Sequence, residues 1–282
     1  MSKKAPVKLI AGLDEKAYHK QSRQRIPKLT YSTVKTIATK SAYHAWLNHP
    51  MLGGVTREPT KAMDKGSVIH SLILGGGQDI KVIMADSYRT KSAKEARDEA
   101  YELGFIPMLE KEIEPLHVAA EEVSKKIKEI APYFFDKHES ELTVRYELDG
   151  VKCQSRWDWI SPEQNKLIDL KTTKDSSPDG IEKTIYNFGY DIQEAMYTRA
   201  AELAFPELAG RWKWEFIFCE IEPPYMVSII ETDSVMKQLG NMRLDRGIKT
   251  WKECMNTKTW PGYGRVRVSA PGWAMSKEEG RE

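Results

Sequence analysis

The sequence predicts an α/β fold, and three observations predict it. Residues Glu141 to Lys171, ELTVRYELDGVKCQSRWDWISPEQNKLIDLK, read as three short strands joined by two turns. Amphipathic helical patterns precede and follow this block, the longest running from Pro107 to Ile130. Two further strand-like runs, Trp212 to Ile221 and Tyr225 to Glu231, surround Pro223-Pro224 and read as a hairpin that completes the sheet. A chain of 282 residues can build one large domain with a substantial core. The pattern divides it into a flexible N-terminal segment 1–28, a single domain 29–273 and a flexible tail 274–282. Within the domain, 29–135 is helical and 136–256 holds the sheet.

In chain order, Leu29-Thr30-Tyr31-Ser32-Thr33 offers hydroxyl residues at a helix start, with Val34 and Ile37 following at helical spacing. Ser32 there serves either a plain capped helix or a phosphate site, because amides at a helix N-terminus attract anions. A short helical piece follows at Ala42 to Leu47, then a helix from Thr60 to Leu74 ended by Gly75-Gly76-Gly77. His70 lies inside that apolar helix and is either a hydrogen-bonded core residue or a metal ligand. Lys81 to Met84 reads as a strand and Ala93 to Leu103 as a charged helix. Arg89, Lys91 and Lys94 form a basic cluster that suits either a solvated loop or a DNA backbone. Beyond Lys171 come a helix starting at Asp175-Ser176-Ser177-Pro178, a second after Gly189, and a last helix from Asp233 to Met255. Near the end, Arg265 and Arg267 alternate with valines among Trp260, Tyr263 and Trp273, which suits a surface rim or a grip on a nucleic-acid strand.

Bulk composition excludes more than it identifies. Forty-three basic against 41 acidic residues give a net charge of +2, so any DNA affinity must come from local patches. Cys153, Cys219 and Cys254 lack metal-ligand spacing and suit free thiols in a reducing, cytoplasmic compartment. No apolar run approaches the ~20 residues of a membrane span, and no signal-peptide pattern opens the chain.

The chemistry concentrates in the three predicted strands. If Asp149-Gly150 forms the two-residue turn, Leu148 pairs with Val151 and, counting outward, Asp158 falls opposite Glu141. If the second loop is centred between Glu163 and Gln164, Asp169 falls opposite Asp158 from the other side. Three carboxylates so placed repel one another, and a cation must sit between them. Lys171 shares the face of Asp169, since side chains repeat every second residue. Magnesium suits such a set of hard oxygen ligands. An Asp-x-Lys triplet and alternating charges also occur on ordinary solvated strands. The apolar flanks Leu167, Ile168 and Leu170 instead mark a buried strand, where an aspartate is costly unless paired or metal-bound. In the helix after Gly189, Gln193 and Tyr197 lie four apart on one face, which continues through Ala200, Ala201 and Ala204.

Together, His70 in GSVIH, an acidic residue near Glu141, Asp158 after Cys153-Gln154-Ser155-Arg156-Trp157, and Asp169-Leu170-Lys171-Thr172-Thr173 make an ordered set. With Tyr190, Gln193 and Tyr197 following, it resembles the RecE (exodeoxyribonuclease VIII) branch of the PD-(D/E)XK nucleases. The resemblance covers roughly Leu29 to Leu203, and its more specific part is DLKTT followed by the Tyr-x-x-Gln-x-x-x-Tyr helix. Trp157 stands where such chains often carry proline. The resemblance implies a restriction-endonuclease-like core, a mixed sheet flanked by helices, that cuts DNA with Mg2+, two ions per site, with Mn2+ able to substitute. His70, Asp158, Asp169 and the Leu170 carbonyl would bind metal. Glu141 would complete the site, with Glu139 or Glu147 as alternatives. Lys171 would position and help deprotonate the attacking water while offsetting charge on the phosphate, and Gln193 and Tyr197 would orient that machinery or the scissile strand.

It further implies a ring-shaped homo-oligomer of phage or prophage origin in a bacterial cytoplasm. This ring would resect duplex DNA ends 5′ to 3′, leaving 3′ overhangs for a RecT-like single-strand annealing protein. Ser32, Arg89, Lys91, Arg156, Arg265 and Arg267 are the candidate DNA contacts. Three alternatives compete: a single-strand-specific or endonucleolytic enzyme of the same core, a helicase-fused nuclease, and a catalytically silent DNA-end-binding assembly protein. Three scattered cysteines cannot hold the iron-sulfur cluster of the CRISPR-adaptation type, and no phosphate-loop motif of a motor is present.

Overall fold

The computed structural model describes residues 7–21, 25–55, 59–278 and 280. The chain opens with β1 (Lys8–Ile10), α1 (Glu15–Lys20), α2 (Tyr31–Thr39), α3 (Ala42–Asn48) and α4 (Lys61–Leu74). It continues through β2 (Ile80–Ile83), α5 (Lys91–Leu103), β3 (Ile106–Leu109) and α6 (Glu110–Ile130) to a 3-10 turn at Pro132–Phe135. Strands β4 (Glu139–Leu148), β5 (Val151–Ser161) and β6 (Lys166–Thr173) follow, then α7 (Pro178–Phe188) and α8 (Tyr190–Ala204). After a turn at Pro206–Leu208 come β7 (Lys213–Glu220), β8 (Val227–Ile230), α9 (Ser234–Thr257) and α10 (Gly272–Glu278). Local chemistry sets many helix starts: Ser41, Thr60, Thr90, Ser177 and Asp233 each accept a backbone N–H of the first turn.

The main sheet has the order β1-β4-β5-β6-β7-β8. Every neighbouring pair is antiparallel except β6 and β7, whose parallel pairing follows from the crossover through α7 and α8. The fold is thus α/β with a mixed sheet flanked by helices, as the sequence predicts. One core lies between the sheet and α2, α7, α8 and α9, around Trp157, Phe216, Met196 and Ile248. The second lies on the opposite face beneath α4 and α6, around Trp159, Ile168, Val123 and Ile69. Both hairpin registers agree with the counting from the sequence: Leu148 pairs with Val151, Leu142 with Trp157, and Ile160 with Leu167.

Three elements differ from expectation. The sequence pattern starts the long helix at Pro107, but the chain runs as β3 to Leu109 and pairs in parallel with β2. A short, wholly buried apolar run carries no periodicity that separates strand from helix. The segment 1–28, expected to be flexible, contributes β1 to the sheet edge, where Leu9 pairs with Val144. Two more of its described residues are held by polar side chains of β5: Arg156 donates to the Leu13 carbonyl (2.8 Å) and Gln154 to that of Tyr18 (3.1 Å). These partners lie more than a hundred residues away, so local composition does not reveal them. Part of the expected flexible tail 274–282 forms α10. Residues 1–6 and 281–282 lie outside the described residues. Among the described residues no helix is long and apolar enough to cross a membrane, and the three cysteines are unpaired and buried.

Candidate active site and metal centre

The site grows from a fault in the sheet. Strands β5 and β6 are paired only from Ser161–Lys166 to Trp159–Ile168, and the ladder stops before Asp158 and Asp169. The alternation of β5 also slips there. Trp157 and Trp159 are two residues apart, yet Trp157 packs in the α8-side core and Trp159 in the α6-side core. Opposite them, Glu141 takes a left-handed φ of 52°. Ser140 then reaches the Leu74 carbonyl of α4, whereas Leu142 enters the α8-side core. A left-handed glutamate inside a strand carries backbone strain, a feature that collects at functional sites. Where the ladder lapses, the side chain of Asp158 substitutes for a strand carbonyl: its Oδ2 accepts the Leu170 amide at 3.1 Å.

Helix α4 covers this opening at close range. A Cβ on Gly66 would stand 3.0 Å from Thr172 Oγ1, so glycine sets how near α4 comes to the end of β6. One turn later, His70 Nε2 donates to the Leu170 carbonyl. A carbonyl only accepts, which places the proton on Nε2 and leaves the Nδ1 lone pair, in the neutral ring, 3.7 Å from Asp158 Oδ2. Donor atoms of His70, Glu141 and Asp158 all lie within 4.8 Å of one another. Two carboxylates and an imidazole form a ligand set that suits a divalent cation such as Mn2+ or Mg2+. Leu170 O, expected as a ligand, is engaged by His70 in this arrangement. Arg156 NH1 lies 3.6 Å from Glu141 Oε2, and its guanidinium stacks 4.2 Å over the Tyr18 ring. Arg156, expected to touch DNA, is buried and also bonds Thr143 and the Leu13 carbonyl.

Asp169 sits beside this cluster rather than in it. It is 1% exposed; Oδ1 accepts from Gln193 Nε2 and Oδ2 pairs with Lys171. Burial, with the neighbouring Asp158 charge, pushes its carboxyl up to about 7 against the opposing pull of Lys171 and Gln193. For Lys171, burial pulls the ammonium down, but Asp169, Tyr190 and Asp158 outweigh it and hold its pKa above the ordinary value. Its Nζ lies 4.7 Å over the Tyr190 ring. The Gln193 Oε1 is buried without a hydrogen-bond partner among the described residues.

A cleft of about 600 Å³ joins these groups. Its lining includes His70, Glu141, Arg156, Asp158, Leu170, Lys171 and Tyr197, together with Tyr18, Phe188 and Tyr190. Of the alternatives to Glu141, Glu147 is paired with Lys152 and Glu139 is exposed, and neither lines the cleft. Ser32, Arg89, Lys91, Arg265 and Arg267 are exposed and stand outside the lining. Ser32 bonds Thr30 at the α2 start, and Lys91 pairs with Glu95 at 3.8 Å. Arg265 and Arg267 lie on a segment without regular secondary structure whose Tyr263 packs against His44. Tyr18 and Phe188 were not legible as cleft residues: Tyr18 falls in the polar N-terminal segment, and Phe188 resembles any apolar residue at a helix end.

Residues 31–268 match a PDDEXK-like domain of unknown function (DUF3799). No curated protein matches the chain. A candidate exonuclease from Eubacterium rectale has a similar structure, with a TM-score of 0.59 and 16% identity over 94% of this chain and 98% of that one. A phage related exonuclease from Haemophilus somnus is also 16% identical, over 68% of this chain and 95% of its own, but its TM-score of 0.33 supports no comparison. The first likeness bears on the fold alone. The family match spans the site, from α2 through β5, β6 and α8 to the segment beyond α9. The chain therefore belongs to the PDDEXK-like DUF3799 family, within the PD-(D/E)XK superfamily.

Proposed function

We propose that the protein is a divalent-metal-dependent nuclease that hydrolyses DNA phosphodiesters in the cleft between α4, β5 and β6. The observation that carries this reading is the convergence of His70, Glu141 and Asp158 within 4.8 Å of one another, beside the Asp169–Lys171 pair. His70, Glu141 and Asp158 would hold the cation, and Asp169 would join them as a ligand on leaving Lys171. A bound divalent ion supplies charge neutralisation on the phosphate and a more acidic water.

The chain's own groups do the rest. Lys171, held as a cation, offsets charge on a non-bridging phosphate oxygen. To accept a proton from water it would first have to leave Asp169, so its charge-offsetting part of the expected role fits this arrangement. Gln193 fixes the Asp169 carboxylate, and Tyr197 closes the inner wall of the cleft. A water oxygen bonds to phosphorus as one of its protons passes to solvent, the opposite P–O bond breaks, and the leaving oxygen takes up a proton from solvent.

Likeness to RecE-type chains supports the finer reading. The enzyme resects duplex ends from the 5′ strand with Mg2+, two ions per site, Mn2+ substituting. It works as a homo-oligomeric ring and supplies 3′ overhangs to a RecT-like annealing protein in a bacterial cytoplasm. The test is duplex DNA labelled separately at each 5′ and 3′ end, incubated with and without Mg2+. The reading expects release of 5′ label first and only with metal. Release from the 3′ ends first would remove the polarity, and no digestion under any divalent ion would remove the nuclease.

A further inference from the structure

Tyr190 follows Gly189, which takes a φ of 70° and turns the chain between α7 and α8. That turn brings the rings of Phe188 and Tyr190 into a stack, 5.8 Å between centroids and 19° between planes. Tyr190 in turn packs on Phe216 and Phe218 of the core, at 6.0 and 6.1 Å. A row of rings therefore leads from the core to the cleft, where Phe188 ends it with 54% of its surface exposed. At its outer end Tyr31 donates its hydroxyl to the Phe188 carbonyl at 2.9 Å, which ties the Phe188 backbone to α2. Tyr190 also carries the Lys171 ammonium over its ring. An apolar ring held in place at a polar cleft costs free energy that a flat ligand recovers by covering it.

We propose that Phe188, backed by Tyr190, is the stacking platform for one nucleobase of the strand being cut. A base lying against Phe188 uses one of its two faces for the ring, and base–aromatic stacking accepts any base because each has a π face. Lys171 and Phe188 both line the cleft and both contact the Tyr190 ring, so a phosphate at the one and a base at the other belong to one short stretch of strand. This deepens the nuclease reading and rests on it: the site grips the strand by a base face as well as by its phosphate, whatever the base.

The test uses the full chain and short single-stranded oligonucleotides without divalent ion, so that nothing is cut. Binding is read by anisotropy, with an abasic site moved one position at a time. Wild type is expected to lose about tenfold in affinity at one position, the size of a lost stacking contact. F188A, whose exposed site leaves the core intact, is expected to bind the intact oligonucleotide about tenfold more weakly and to ignore the abasic site. F188W restores both. If F188A responds to the abasic site as wild type does, or if F188A changes only the oligomeric state, the platform is overturned. Digestion of labelled duplex by wild type with Mg2+ is scored separately, so loss of the platform and loss of the nuclease reading give different results.

Discussion

His70 fastens α4 to β6 by donating its Nε2 proton to the Leu170 carbonyl, while the opposite ring nitrogen faces Asp158. One residue thus sets the spacing between helix and strand and presents a ligand to the carboxylates. His70→Ala removes both. Because the ring is partly exposed and its bond is single, stability falls by only about 1 kcal/mol. Mn2+ affinity falls about 10–100-fold, as for loss of a metal-site partner. Calorimetric titration with Mn2+ beside a thermal melt separates the two effects.

Gln193 offers Asp169 a donor, and Asp169 has almost no contact with water. Gln193→Ala leaves that carboxylate short of one partner and lowers kcat/KM by about a hundredfold with the fold retained. Gln193→Glu is worse, because two buried carboxylates then face each other, and it costs about 1–3 kcal/mol at pH 8 as well. Digestion rates and melts of both variants at one pH test the order.

Glu194 points away from the cleft, toward Thr232, which donates to it at 2.6 Å, and Lys237 at 3.9 Å. Burial, against the opposing Thr232 bond and Lys237 and with a smaller push from Asp191, raises its carboxyl to about 7 from 4.5. The folded state therefore binds the Glu194 proton more tightly than the unfolded chain. That contribution is full below about pH 4.5, declines as pH rises, and is lost above about 7. Glu194→Gln keeps an acceptor for Thr232 and has no charge to bury. It should melt close to wild type at pH 5 and be more stable by roughly 2–3 kcal/mol at pH 8. Denaturant melts at both pH values measure the difference; an equal gap at both would contradict it.

Gly240 lets α9 lie against the start of α8. A Cβ there would stand 2.2 Å from the Asp191 carbonyl oxygen, which cannot yield as a side chain can. Next to it, Arg243 forms a buried pair with Asp191 at 2.8 Å. Gly240→Ala should destabilise the protein by about 2–3 kcal/mol and tilt the helix that carries Gln193, so activity falls with it. Thermal denaturation and digestion rate check both parts.

Period-2 and period-3.6 patterns, the Asp149-Gly150 turn and the hydroxyl caps made the strands, their register and most helices legible. Counting from the turns also placed Glu141, Asp158 and Asp169 beside the same break in the sheet. What counting missed is the break itself. Strict alternation puts Trp157 and Trp159 on one face, whereas the strand slips between them and Asp158 bonds the Leu170 amide instead of continuing the ladder. Counting likewise gives no sign that Asp169 pairs with Gln193 and Lys171. The capture of the N-terminal segment by Gln154 and Arg156, and the ring row ending in Phe188, depend on contacts between distant stretches and leave no local trace.

A cation shared by His70, Glu141 and Asp158 underlies the whole account, and Asp158→Asn addresses it most directly. The amide oxygen can still accept the Leu170 N–H, so the fold stays, while one negative ligand is lost. Titration with Mn2+ should show saturable binding in wild type, at least tenfold weaker in the variant, with DNA digestion reduced about a thousandfold. Equal Mn2+ affinity in the two proteins, with digestion unchanged, would contradict it.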